Sequence, residues 1–239
     1  MPNENGPLTL AIDIGGTGLK ADVIDANGQP QAERKRVPTP HPAPPAKVLE
    51  AIRGMVAELP AFDRISAGFP GVVRNGSILT APHLGTEDWH GFDLAQALSV
   101  TFERPARVLN DAEVQGFGVI TGKGLEFVLT LGTGAGTAMF RDGLLMPHLE
   151  LSQHPIRREM TYDEYIGNAA LENKGPRDWN RRIQRVLSTL FVLTHFDMLH
   201  LGGGNADKVK KLPPNVVVGS NEAGLTGGVK LWGAGWPNN

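Results

Sequence analysis

The sequence predicts an α/β protein made of two related domains. A strand, a glycine loop, a second strand, a tight turn and a third strand follow one another between Leu8 and Val37. The same order returns between Phe127 and Met146. Self-similarity about half a chain apart marks a duplicated unit, here in the kind of element more than in the letters. Between and after these meanders lie segments whose apolar residues recur at helical spacing, which makes the class α/β.

Leu8 to Ile14 is an apolar run of strand length, closed by Gly15, Gly16 and Gly18. Lys20 to Ala26 alternates around Val23 and Ile24, Asn27-Gly28 is a hairpin turn signal, and Gln31 to Val37 reads as a third strand. The proline-rich PTPHPAPP that follows is a linker, since proline cannot sit in a central strand. From Lys47 to Leu59, Val48, Ile52, Met55, Val56 and Leu59 fall on one helix face. Ile65 to Phe69 is a strand ending in the turn Pro70-Gly71, Phe92 to Phe102 a helix, and Arg107 to Leu109 a short strand ending at Asn110-Asp111. In the second half, Phe127 to Leu131 is a strand, followed by Gly132, Gly134 and Gly136. Thr137 to Phe140 returns, Asp142-Gly143 turns, and Leu144 to Met146 continues. A helix from about Trp179 to Phe196, a strand at Met198 to Leu201, the run Gly202-Gly203-Gly204 and a helix from Ala206 come next. A strand at Val216 to Val218 and a C-terminal helix capped by Asn221 complete the chain. The expected domains are residues 1–108 with the C-terminal helix 222–239, and residues 109–221.

Bulk properties narrow the function. The 239 residues contain no cysteine, which rules out disulfides, Cys-ligated zinc and iron–sulfur clusters. A formal net charge of -2 argues against a general nucleic-acid binder. No apolar run approaches the ~20 residues that span a bilayer. The polar MPNENGP leads straight into a strand and does not read as a signal peptide, so a cytoplasmic protein is expected.

The glycine loops carry the chemistry. Each joins strand to strand, whereas a dinucleotide fingerprint joins strand to helix, and neither has the G-x-G-x-x-G spacing in that context. GVITGKG around Lys123 lacks the spacing and the hydroxyl of a Walker loop. An ordinary glycine-rich hairpin explains either loop alone; two, each with a threonine, point to phosphate. Successive backbone N–H groups without Cβ atoms form an anion nest. Gly15, Gly16, Thr17, Gly132, Thr133 and Gly134 are therefore candidate phosphate-binding residues, and Lys20 can add charge. Asp13, before the first loop, is either a turn-capping carboxylate or the holder of a metal-bound water; Mg²⁺ needs few protein ligands. Gly202, Gly203 and Gly204 offer a bare backbone to a nucleotide or anion. Asp111 is placed either to cap the helix from Ala112 or to act as a general base. Arg177, Arg181 and Arg185 form a cationic helix ridge with Arg182 beside it, either a solvated face paired with Asp178 or a track for a polyanion.

Four ordered stretches, AIDIGGTGLK at 11–20, LNDAEVQGFG at 109–118, LTLGTGAGTAMF at 129–140 and LGGGN at 201–205, resemble the ROK family of sugar kinases and repressors. The likeness is strongest to its compact polyphosphate/ATP glucokinases. It implies the actin-like ATPase fold: two ribonuclease-H-like domains with the sugar in an interdomain cleft. It implies Asp111 as the base, with Asn110 on a sugar hydroxyl. Glu150 and His154 in ELSQH resemble the family's E-x-G-H sugar motif, with one residue inserted and Ser-Gln in place of Gly. Glu164 matches a further sugar-binding Glu, and Gly71 lies in a loop that approaches the sugar with backbone. His83 stands where a sugar-binding Asn is usual, and the family's zinc site is missing.

The expected activity is transfer of a phosphoryl group from ATP or polyphosphate, with Mg²⁺, to a glucose-like hexose at the 6-hydroxyl. The expected partners are a sugar and a donor, with a homodimer allowed and no nucleic acid or membrane. A repressor of the same family would carry a DNA-binding segment before the first strand, and only seven residues precede Leu8. A sugar-binding module without catalysis would not be expected to keep Asp13, Asp111 and both loops.

Overall fold

The computed structural model describes residues 6–219 and 223–233. The chain divides into two compact units, one holding the residues up to Gly118 and those from Gly224 onward, the other Val119–Ala223. The break falls at the end of the helix that starts at Asp111, about ten residues beyond the sequence-based boundary, so Asn110 and Asp111 belong to the first unit.

The first unit contains β1 (Thr9–Ile14), β2 (Gly18–Ile24), β3 (Lys35–Pro38), α1 (Pro45–Val56), β4 (Arg64–Phe69), β5 (Val73–Arg74), β6 (Ser77–Ile78), α2 (Thr86–Trp89), α3 (Leu94–Phe102), β7 (Ala106–Asn110) and α4 (Asp111–Val119). The second contains β8 (Leu125–Leu131), β9 (Ala135–Arg141), β10 (Leu144–Leu145), β11 (Pro155–Arg157), β12 (Met160–Thr161), α5 (Tyr162–Ile166), α6 (Asn168–Thr194), β13 (Met198–Gly202), a 3₁₀ turn at Ala206–Lys208 and β14 (Val216–Val218). Helix α7 (Ala223–Lys230) returns to the first unit.

The duplication is visible in the sheets. Their strand orders are β3-β2-β1-β4-β7 and β10-β9-β8-β13-β14. β1 pairs antiparallel with β2 and parallel with β4, as β8 does with β9 and β13. Three-residue loops, 15–17 and 132–134, therefore join equivalent strands.

Each sheet is held by its own core. Leu10, Ile12 and Ile14 pack with Val48, Ile52 and Met55 of α1 in the first. Phe127, Leu129 and Leu131 pack with Trp179, Ile183, Val186, Leu187 and Leu190 of α6 in the second. Burying each of these side chains stabilises the fold by roughly 1.5–3 kcal/mol relative to exposure. The Trp179 indole keeps a partner, donating to the Ile166 carbonyl at 2.8 Å. Helix α7 docks without side chains in between: a Cβ on Gly227 would fall 1.8 Å from the Val114 carbonyl oxygen, and one on Gly228 would fall 3.4 Å from Ala11 and Ser66.

Several elements differ from the expectation. Helix α1 starts two residues early, because Pro45 is tolerated in a first helical turn. The third strand begins only at Lys35; the chain after the turn at Asp25 meets β2 through a bridge at Pro30. The long helix begins at Asn168 and is interrupted at Gly175 (φ 73°, ψ 163°), with Pro176 opening the next segment. The helix expected from Ala206 is one 3₁₀ turn. Asn221 lies outside the described residues. No helix among the described residues is long and apolar enough to cross a membrane.

Candidate active site

In the first unit, β1 delivers Asp13 to the edge of the 15–17 loop. Lys20, directly opposite on β2, donates to Asp13 Oδ2 at 2.7 Å, and both side chains are partly exposed. The loop is closed by the Gly15 amide on the Gly18 carbonyl at 3.0 Å, and Thr39 Oγ1 ties down the Gly15 carbonyl. Thr17 is exposed at its tip. The His83 side chain lies against Gly16, where a Cβ would fall 3.1 Å from the His83 Cβ.

β7 ends at Asn110, and α4 begins with Asp111. Asn110 is buried and its side chain is committed. Nδ2 donates to the Gly71 carbonyl at 3.1 Å and to the Phe69 carbonyl at 3.4 Å, while Oδ1 accepts the Ala112 amide at 2.9 Å. Glu113 reaches back to accept the Asn110 amide at 3.1 Å. Asn110 and Glu113 thus cap α4 reciprocally. Asp111 occupies the first helical position and accepts the Ala112 amide at 2.8 Å. Its charge stands where the helix dipole favours an anion. Through its Nδ2 the Asn110 side chain also joins this position to the Gly71 carbonyl.

In the second unit, the 132–134 loop rests on α5 and on the start of α6. The Asn168 amide donates to the Gly132 and Thr133 carbonyls at 3.0 and 3.3 Å, and Thr133 is exposed. Asp163 of α5 accepts the Ala135 amide at 2.7 Å and Gln153 Nε2 at 3.0 Å. Sequence reasoning missed Asp163. The amide spent on this carboxylate is that of Ala135, next to the loop, while the Gly132 amide is spent on the Gly134 carbonyl at 3.0 Å, so the loop is braced by the protein's own anion.

Glu150 accepts the Ser152 amide at 3.1 Å and lies 3.5 Å from His148 Nε2. Burial alone would push its carboxyl up, but hydrogen bonds from His148 and Ser152 outweigh that and hold it below the usual glutamate value. His154 is exposed, with its ring centroid 6.4 Å from that of Tyr162. Glu164 makes a capping box with Thr161, accepting its amide at 2.9 Å. T-x-x-E is a capping signature legible in the sequence. Gly202 ends β13, and Gly203 (φ 81°) lies flat on the Leu131 backbone. Arg181 pairs with Asp178 at 2.7 Å, and Arg182 turns onto the Tyr165 ring and carbonyl.

A model of the ROK family matches residues 9–147. Polyphosphate glucokinase of Mycobacterium tuberculosis is 30% identical over 218 residues, 86% of this chain and 80% of that protein. The crystal structure of inorganic polyphosphate/ATP-glucomannokinase from Arthrobacter sp. strain KM superposes with a TM-score of 0.85 at 32% identity, over 94% of this chain and 97% of that one. A ROK family glucokinase from Streptomyces griseus, solved with glucose and AMPPNP, shares the fold at a TM-score of 0.78 and 21% identity, over 94% and 98% of the two chains. The matched sheets, the equivalent glycine loops and these likenesses agree on the actin-like ATPase fold, and the chain belongs to the ROK family.

Proposed function

We infer that this chain transfers a terminal phosphoryl group from ATP, and from inorganic polyphosphate, to the 6-hydroxyl of a glucose-like hexose. The coarser statement, a sugar phosphotransferase, follows from the family and from the named kinases it resembles. One observation carries the finer reading. Helix α4 already has its cap in Asn110 and Glu113, and Asp111 spends one oxygen on the Ala112 amide, so the helix start does not by itself require a carboxylate at that position. A carboxylate held there can accept the proton of an attacking hydroxyl, a contribution of about 10²–10⁴ to rate.

Asp111 takes that proton. Glu150, kept ionised by His148 and Ser152, accepts hydrogen bonds from sugar hydroxyls. Asn110 positions Gly71 and the start of α4, and the one lone pair its side chain has to spare is what it can offer a hydroxyl directly. His154, Glu164 and the backbone of Gly71 are further sugar contacts in this reading. The loops 15–17 and 132–134, with Lys20, hold the donor phosphates, and Gly202 to Gly204 carry the nucleotide. Phosphoryl transfer is mostly positioning and charge stabilisation, which is what such loops supply.

Mg²⁺ fits the donor set in one way. No group of three or more acidic or histidine side chains among the described residues could cage it. A phosphate-borne, largely hydrated Mg²⁺ needs only one nearby carboxylate. Asp13 is half exposed with one oxygen on Lys20, and its other oxygen can meet a metal-bound water. When bound, the ion neutralises phosphate charge.

The test is a coupled assay of a hexose panel against ATP and polyphosphate, with wild type and Asp111→Asn. Turnover of at least one hexose, nearly lost in the variant, is expected. No turnover with any pair would sink the reading.

A further inference from the structure

Helix α6 is stitched to the loop that follows the glycine run, and the stitch gathers basic side chains. Asn180 Nδ2 donates to the Lys208 carbonyl at 3.1 Å, and its Oδ1 accepts the Lys210 amide at 2.7 Å. Gln184, one turn on, donates to the Lys210 carbonyl at 3.0 Å. The loop therefore follows the helix for a full turn. Arg177 lies one turn before Asn180 on the same side of the helix. Arg177, Lys208, Lys210 and Lys211 are all exposed. Arg181 pairs with Asp178 and Arg182 is occupied by Tyr165, while Arg185 is exposed further along the helix; the cations beside the stitched loop are Arg177, Lys208, Lys210 and Lys211.

This face is tied to the second phosphate loop. Lys208 Nζ donates to Asn205 Oδ1 at 2.7 Å, and Asn205 Nδ2 donates to Asn168 Oδ1 at 3.3 Å. The Asn168 amide holds the Gly132 carbonyl at 3.0 Å, and the Asn205 amide holds the Leu131 carbonyl at 3.0 Å. Every link lies within the second unit.

We propose that Arg177, Lys208, Lys210 and Lys211 form a track for the distal phosphates of inorganic polyphosphate, whose terminal phosphate sits on the 132–134 loop. The proposal rests on the assignment of that loop to the donor. ATP ends at its third phosphate and has nothing to place on the track. A polymer of identical phosphates does, and ammonium groups on flexible stems suit a ligand that slides without a fixed register.

The test uses the full chain carrying Arg177→Gln, Lys210→Gln and Lys211→Gln together. Lys208 is left intact because it braces Asn205. The donors are long-chain polyphosphate, tripolyphosphate and ATP at saturating hexose. The KM for long-chain polyphosphate is expected to rise about tenfold, and the slope of its logarithm against log salt to fall by about two, as for three lost contacts to a linear phosphate polyanion. The values for tripolyphosphate and ATP are expected to stay unchanged. Lys47→Gln with Arg53→Gln, on α1, serves as the control for charge alone. An unchanged KM for the long chain, an equal rise for ATP, or the same loss in the control overturns the track. Direct binding of labelled long-chain polyphosphate, without hexose, separates the two readings. Binding lost in the triple variant supports the track even where no hexose is turned over, and turnover with ATP but no polyphosphate binding removes the track and leaves the kinase.

Discussion

Asp163 lies directly beneath Gly134: its Oδ1 accepts the Ala135 amide at 2.7 Å, and a Cβ added to Gly134 would fall 2.4 Å from that same oxygen. A loop read as a receiver of anions thus already rests on one. Asp163→Ala removes the acceptor and leaves the Ala135 amide to be satisfied otherwise, at a cost of about 1–3 kcal/mol. Its expected effect is a rise of about tenfold or more in the donor KM with the hexose KM unchanged. Asp163→Asn keeps an oxygen for Ala135 and is expected to restore most of the loss. Steady-state kinetics with both substrates varied checks this, and a wild-type donor KM in the alanine variant would show that the loop does not depend on α5.

The same contact sets the penalty at Gly134. A methyl group there meets the carboxylate at 2.4–2.7 Å, so even Gly134→Ala must displace Asp163 before any phosphate is involved. Adding Asp163→Ala is expected to relieve part of the defect. A double-mutant cycle on donor KM and on stability should show a coupling of about 0.5–3 kcal/mol. Strict additivity would mean that Gly134 fails for another reason.

Asp111→Asn retains an oxygen for the Ala112 amide, so the helix is expected to survive, with at most about 1 kcal/mol lost from the dipole interaction. Turnover is expected to fall by about 10²–10⁴ while hexose binding, followed by calorimetry, persists. A folded variant with near-wild-type turnover would remove Asp111 from the base's role.

How much of this was legible in the sequence depends on how far apart the partners lie. The apolar face of α1 follows from periodicity, because it is a property of neighbours on one helix. The equivalent loops follow from glycines beside strands. Asp163 could not be found that way: its partner is 28 residues away, and nothing in YDEYIG distinguishes a loop-bracing aspartate from a solvated one. Thr161 and Glu164 show the opposite case, a capping box written plainly in the sequence, while the sugar role given to Glu164 came from resemblance. Arg182 was placed beside the arginine ridge because spacing reports direction around a helix and not the ring of Tyr165 on α5 that captures it.

A buried glutamate sets an acid limit on stability. Glu126 accepts the Thr121 and Gly122 amides at 2.7 Å each and the Lys123 amide at 3.2 Å, and lies 2.9 Å from His200 Nε2. Burial would push its carboxyl up, but the Thr121 amide, His200, the Gly122 amide and the Thr121 hydroxyl together hold it below the usual value. A carboxyl depressed in the folded state stabilises above its unfolded pKa, and that stabilisation is lost as pH falls through the folded value. Glu126→Gln is expected to lose about 2–4 kcal/mol near neutrality, since its amide would face N–H donors. The gap to wild type is expected to narrow as pH drops through the carboxylate range. Urea denaturation of both proteins across that range checks the sign; a gap that widens in acid would refute it.

Helix α7 has a consequence for how the protein is made. Ser66 Oγ donates to the Gly228 carbonyl at 2.6 Å across 162 residues and accepts the Trp232 indole N–H at 2.9 Å. Arg107 stacks on the same indole at 4.4 Å. The first unit's sheet is therefore completed by a segment made only after the whole of the second unit. Domains in many proteins fold in the order of synthesis. Here the later-made unit has all its strands and its long helix available while the earlier one still waits, with a buried serine hydroxyl and a glycine-wide groove over β1 and β4 unfilled. A nascent chain halted before Gly227 would carry that groove open, and its first half would be the part that needs guarding by chaperones until α7 has been made.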